Sequence, residues 1–410
     1  MRDHKQNWLD VFSGFRVALD ARKILLGALG AYVTIIVLGG LLALAQYWWP
    51  GAETYKQRFL QDPIGTMPDL ACTVSGKFCP AMAHPPVGLR DFTHRPAAAL
   101  AELGHAVTEH AAYPIYGVRE ALFTACGCLL MLFIWSFFGG AIARIAAVDF
   151  AKDERLQIGE ATEFAGRKFG SFFWAPLVPV VFVLILLLCN FVLGLVGRIP
   201  AAGPVIVGLL FGLAAISAFL VVLLLIGGIL GFVFMWPTIA MEGTDAFDAI
   251  SRAFNYLFAR PWKTFWCWLM AAAYGLAVTA FVVLFTGLFL HLAVGSVGLG
   301  MGKDFGNIGS FLGAPQSVGL EVGMPYLIAM VLMKVVQILA WGLVLGFVVS
   351  YKVSAATIIY AVIRRDVDGT DMTEVYLPEK EEAPEVPPAP ESKPETGEAK
   401  PETSSEKPAE

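Results

Sequence analysis

Four histidines, His84, His94, His105 and His110, gather in one polar stretch, and metal binding is the first chemistry such a group could support. A helical zinc pair wants imidazoles at i,i+4, but His105 and His110 stand five apart with no accompanying pattern of acids, so no metal site is expected. Cys72 and Cys79 share that stretch and could close a small disulfide loop if it faces an oxidising compartment. Cys126, Cys128, Cys189 and Cys267 lie in apolar runs, where cysteine behaves as a small hydrophobe. The run GLGMG at 298–302, followed by Lys303, faintly resembles an anion cradle. It lacks the preceding strand and following helix that a nucleotide loop needs.

Three polar residues interrupt apolar runs: Asn190, Lys334 and Gln337. A charge held at membrane depth is costly, so a buried Lys334 would be a pathway candidate. The alternative, which explains more, is that Lys334 and Lys352 snorkel to opposite interfaces, because the 17 residues between them span ~26 Å of helix. Residues 353–363 would then lie along the inner surface. Two ion pairs at i,i+4, Glu163–Arg167 and Asp248–Arg252, complete the inventory, and each adds ~0.3 kcal/mol to an isolated helix. No nucleophile with a base and no paired acids stand together, so neither enzyme activity nor a cofactor is expected.

The two ion pairs belong to a repeat. Sliding the chain by 85 residues lays Gly159–Pro176, GEATEFAGRKFGSFFWAP, on Thr244–Pro261, TDAFDAISRAFNYLFARP, without a gap. Both copies predict amphipathic helices, over 159–175 and 244–260, that anchor at a membrane surface or dock a partner. Phe247, Ile250, Phe254, Leu257 and Phe258 form the apolar face of the second copy, and Asp245 is placed to cap it. In the first, Ile158, Ala161, Ala165, Phe169 and Phe172 oppose Glu160, Glu163 and Arg167. Pro176 and Pro261 mark the turn into the next apolar run. A weaker third copy matches Asp10, Ser13, Leu19, Ala21 and Arg22 to Asp248, Ser251, Leu257, Ala259 and Arg260. The longer first interval exceeds the second by about the length of the polar insertion 50–118. Three units follow, each an interfacial helix and a transmembrane hairpin.

Composition fixes the class. Hydrophobic residues make up 57% of the chain and charged residues 15%, more apolar surface than a soluble domain can hide. The expected fold is therefore all-α and polytopic, with about six transmembrane helices as three hairpins. Residues 1–49 hold an interfacial helix and an uncleaved first span. Residues 50–118 form an extracytoplasmic insertion, and 119–365 the remaining membrane domain. Residues 366–410 form a cytoplasmic segment whose Pro/Glu/Lys-rich tail from 378 is too polar to fold. That tail carries the formal net charge of −5 and more, leaving the rest near neutral with no nucleic-acid signature. Spans are expected near 120–142, 177–197, 205–236 and 265–290, with a glycine-rich external loop at 291–324. Gly208 and Gly212, like Gly227 and Gly231, are spaced for close helix approach. Lys and Arg cluster at the N-terminus and in 143–175, 237–264 and 364–365, which places both termini in the cytoplasm.

The segments 137–161 (FFGGAIARIAAVDFAKDERLQIGEA), 235–265 and 354–378 resemble motifs of a group of bacterial polytopic membrane proteins with no assigned biochemical activity. The layout is also distantly similar to Yip-type proteins and to the membrane domain attached to some glycerophosphodiester phosphodiesterases. The resemblance covers most of 1–378 outside the insertion. It implies a helical module of a bacterial inner membrane and carries over no site residue. The leading functional expectation is a non-enzymatic scaffold or assembly factor, meeting lipid and, through its interfacial helices or acidic tail, protein partners. The alternative is a transporter or lipid-handling protein.

Overall fold

A computed structural model describes residues 14–45, 118–302 and 324–377. The four histidines of the insertion, Cys72, Cys79, Lys303 and the tail from 378 lie outside the described residues. Among those described, the regular elements are all helical: α1 Gly14–Ala18, α2 Ala21–Ala45, α3 Val118–Lys152, α4 Ile158–Arg167, α5 Phe169–Val196, α6 Ala202–Glu242, α7 Ala246–Ala259, α8 Pro261–Met301 and α9 Met324–Asp368. Six of them, α2, α3, α5, α6, α8 and α9, are long and apolar enough to cross a membrane. The chain is a multi-pass membrane protein.

Several of these helices outrun a bilayer. α6 and α8 have 41 residues and α9 has 45. At 1.5 Å per residue they reach ~60–68 Å, about twice the ~30 Å of hydrocarbon. The excess has a clear use at one end. Ala143, Ala146, Ala147 and Phe150 of α3, Phe234, Met235 and Ile239–Met241 of α6 and Ile358–Ile363 of α9 pack into one core, with α7 against it. Away from that base, large apolar side chains such as Leu209, Phe211, Leu276 and Leu284 point outward, as helices solvated by lipid tails require.

These extensions depart from the sequence reading. The segment expected as a loop after residue 142 is helix through Lys152, and α6 runs through Pro237 to Glu242. α9 passes through 353–363 without a break and buries them in the core, instead of laying them on a surface. The glycines expected in a loop after 290 continue α8 to Met301, so GLGMG is a helix end and not a cradle. The helix stops only at Gly302, whose φ of +61° suits a residue without Cβ.

The repeat also diverges in detail. Pro261 opens α8 as its first residue, where its missing N–H is harmless. Its counterpart Pro176 lies inside α5, because the first copy breaks eight residues earlier, at Lys168 (φ −98°, ψ 12°). An interior proline leaves the carbonyl four residues back without its helical donor. Here the indole Nε1 of Trp236 donates to Phe172 O at 3.0 Å and satisfies it from α6.

Close helix approach occurs at one of the two expected glycine pairs, Gly227 and Gly231, and at a further pair, Gly27 and Gly346. A Cβ on Gly208 or Gly212 would meet nothing within 4 Å, whereas one on Gly27 would stand 2.8 Å from Gly346 O, so it is α2 and α9 that touch backbone to backbone. Gly227 and Gly231 face α7: the first makes room for the ring of Phe254, and a Cβ on the second would stand 3.8 Å from Ala253 Cβ.

Candidate functional site

The densest chemistry lies where the core meets its charged rim, around Glu242 at the last turn of α6. Its carboxylate accepts a hydrogen bond from Tyr360 Oη of α9. It also pairs with Arg252 of α7 at 2.6 Å and with Arg364 of α9 at 3.5 Å. Arg252 is shared with Asp248, one turn before it on α7, at 3.1 Å. Asp245 accepts from Asp248 N and caps α7. Burial works against the Arg252 charge, but the Asp248 hydrogen bond and the Glu242 charge outweigh it and hold the proton more firmly than usual. Tyr256, on the buried face of α7, donates to Asp368 at the end of α9. Burial first, then that hydrogen bond, pushes its phenol up to about 12.

Two arginines read from the sequence as topological markers, Arg144 and Arg364, are buried and bonded to backbone. Arg144 is 2% exposed. Its guanidinium donates to Ala240 O at 2.7 Å and Tyr376 O at 2.6 Å, and stacks 4.3 Å above the ring of Phe164. Arg364 is 4% exposed and donates to Asp371 O at 3.1 Å and Glu374 O at 2.7 Å. These four carbonyls include three from the segment 369–377, which doubles back as a strap. Met372 and Val375 of the strap are buried, and Tyr376 N donates to Met241 O at 2.7 Å. The Tyr376 ring lies over Gly243, which closes α6 at φ +66°; a Cβ there would come within 2.5 Å of the ring.

Smaller links tie in the amino-terminal side. Lys23, wholly buried, pairs with Asp149 of α3 at 3.2 Å. Arg22 pairs with Asp20 at 2.9 Å and donates to Leu156 O beyond α3. Burial alone would raise the Asp20 carboxyl, but the hydrogen bonds from Arg22 hold it below the usual range. Lys263, at the start of α8, pairs with Asp366.

The residues singled out from the sequence are spread apart. Glu163 and Arg167 stand 3.7 Å apart on an exposed face of α4, far looser than the Asp248–Arg252 pair. Asn190 accepts from Ser217 Oγ at 2.7 Å, so it ties α5 to α6. Lys334 and Gln337 are half-buried on α9, with Gln337 Oε1 out of contact with any described donor. The expected apolar face of α7 is buried only in part: Leu257 is buried, and Ile250 and Phe254 pack against the core. Ala246, Ala249, Ala253 and Tyr256 are buried, while Phe247 is 68% and Phe258 54% exposed. Alanines let α7 approach α6 closely, and the rings of Phe247 and Phe258 are left outside. In α4 the buried residues are Ala161, Phe164 and Ala165.

Sequence reasoning passed over Glu242, Tyr256, Tyr360, Asp368 and Tyr376, and gave Arg144 and Arg364 no bonding role. One signal was present: an acid, Glu242, ends an apolar run directly before a glycine, the place where a helix closes. Among the described residues, no three of His, Cys, Asp and Glu come together as metal ligands. Chemically, the arrangement fastens α3, α6, α7, α9 and the strap to one another. No protein-family model, curated protein or solved structure matches the chain.

Proposed function

We propose that the protein is a non-enzymatic integral membrane scaffold or assembly factor of a bacterial inner membrane. Its six spans form three hairpins, both termini are cytoplasmic, and α4 and α7 lie at the cytoplasmic interface. The observation that carries this reading is how the charged groups of the base are occupied. Glu242, Arg252, Arg364 and Arg144 each bind another element of the same chain, so they hold shape and do not face a reacting molecule. Above that rigid base, α7 and the start of α8 present Phe247, Phe258, Trp262 and Trp266 outward beside Arg260. An aromatic and cationic row on a fixed support suits the headgroup layer or a protein seated there.

The experiment is photo-crosslinking in the native membrane from an unnatural amino acid at Phe247 or Phe258. A discrete protein adduct from α7, absent when the crosslinker replaces Phe211 on the outward face of α6, is the expected result. Adducts with lipid alone at both α7 positions would remove the scaffold reading and leave an anchor.

A further inference from the structure

We propose that a cleft between α3, α5 and α6 holds one anionic phospholipid of the surrounding bilayer, with its acyl chains against the helices and its phosphate at Arg167 and Lys168. The proposal is independent of the scaffold reading.

The cleft has a volume of ≈590 Å³ and is walled by Leu129 and Leu132 of α3, Pro179 and Val183 of α5, and Leu225 and Phe232 of α6. Its wall is almost wholly apolar and lies on spans, so an ordered polar ligand has nothing to bind there. Along α5 it runs from Pro176 to Leu184, ~12 Å at 1.5 Å per residue. One leaflet is ~15 Å of hydrocarbon, half of the bilayer core, so the cleft matches the chains of a lipid in a single leaflet. The space exists because Gly228 carries no side chain opposite Pro179. A Cβ there would meet Pro179 Cβ at 3.7 Å, ordinary contact, and anything longer enters the cleft.

The headgroup end is fixed by chain direction. α5 runs away from the charged base, so Pro176 marks the end of the cleft nearest the base, and Arg167 and Lys168 precede it by nine and eight residues. Lys168, at the break between α4 and α5, is ~12 Å from Pro176 along the axis, with Arg167 next to it at the end of α4, and a glycerophosphate and two long cationic side chains bridge that distance together. Phe133, Phe169 and Phe173 pack on one another, with Phe133 and Phe169 centroids 4.9 Å apart, and join α3 to the first turns of α5. Arg167 is available: its pairing with Glu163 is long at 3.7 Å and more than half exposed, the kind of ion pair worth ~0–1 kcal/mol. A phosphate takes a guanidinium through two parallel hydrogen bonds and so competes well for it.

The test uses the full chain, purified in detergent, stripped of lipid and then offered phosphatidylglycerol or phosphatidylcholine, with retained lipid counted by native mass spectrometry. The expected result is one phosphatidylglycerol retained, at least five-fold over phosphatidylcholine. Arg167→Gln with Lys168→Gln should bring that ratio close to one. Gly228→Leu, and separately Leu225→Trp, should lower occupancy by both lipids at least five-fold while elution stays monodisperse. An unchanged ratio in the glutamine variant would overturn the headgroup assignment. Unchanged occupancy in a monodisperse cleft variant would overturn the cleft. So would displacement by glycerol phosphate without acyl chains, or a dimer that Gly228→Leu dissolves while no lipid is held. A lost adduct at Phe247 with lipid binding intact would count against the scaffold reading alone.

Discussion

Replacing Glu242 by glutamine keeps its volume and the α6 backbone while removing the negative charge that Arg252 and Arg364 share. The two arginines differ in what they can do next. The Arg252 side chain is 39% exposed and retains Asp248, so it turns to water and its own helix at little cost. Arg364 is 4% exposed and keeps only the carbonyls of Asp371 and Glu374. Breaking a fully buried pair from one side costs ~3–5 kcal/mol, and the remaining hydrogen bonds reduce this to roughly 2–4 kcal/mol here. The assay is unfolding in mild detergent, read together with amide hydrogen exchange. The expected outcome is a lower midpoint, with faster exchange in 246–259 and 371–376 and unchanged exchange in α5. A double-mutant cycle between Glu242→Gln and Arg364→Met should return a coupling of about 1 kcal/mol or more. Arg252→Gln should cost clearly less than Arg364→Met. Unchanged stability and exchange in Glu242→Gln would refute the view that this carboxylate fastens α7 and the strap to the bundle.

Three further outcomes follow from the same geometry. Gly243→Ala puts a side chain at φ +66° and within 2.5 Å of the Tyr376 ring, so it should destabilise by about 2 kcal/mol and make 369–377 sensitive to limited proteolysis. The Tyr256 phenol, raised from 10 to about 12, stabilises the fold fully below pH 10 and loses that contribution as pH climbs through 12. An alkaline unfolding series should accordingly show a limb over that window that Tyr256→Phe lacks. Lys334→Ala should leave abundance and function nearly unchanged, as expected of a snorkelling side chain; loss of function at normal abundance would favour a transport pathway.

The spans were legible because each is a long apolar run, and the 85-residue repeat located α4 and α7. The base was not legible, for a physical reason. A helix that leaves the bilayer and enters a protein core keeps the same residues, so Ala143, Ala146, Ala147 and Ile358–Ile363 look no different from lipid-facing sequence. The bonding role of Arg144 and Arg364 was hidden as well, because their partners are the backbone carbonyls of residues 240, 371, 374 and 376, which leave no mark in a sequence. On α7, hydrophobicity favours Phe247 and Phe258 as the buried face, yet close packing favours Ala246, Ala249 and Ala253. Pro176 misled for a related reason: the indole of Trp236, 60 residues away in the chain, supplies the donor that lets a helix continue through it.

Native mass spectrometry of the protein released gently from its own membrane bears most directly on the scaffold assignment. The expected result is a stoichiometric protein partner that is lost when Phe247 and Phe258 are replaced by serine. Recovery of the chain with lipid or a small molecule, and with no protein partner before or after those substitutions, would contradict it.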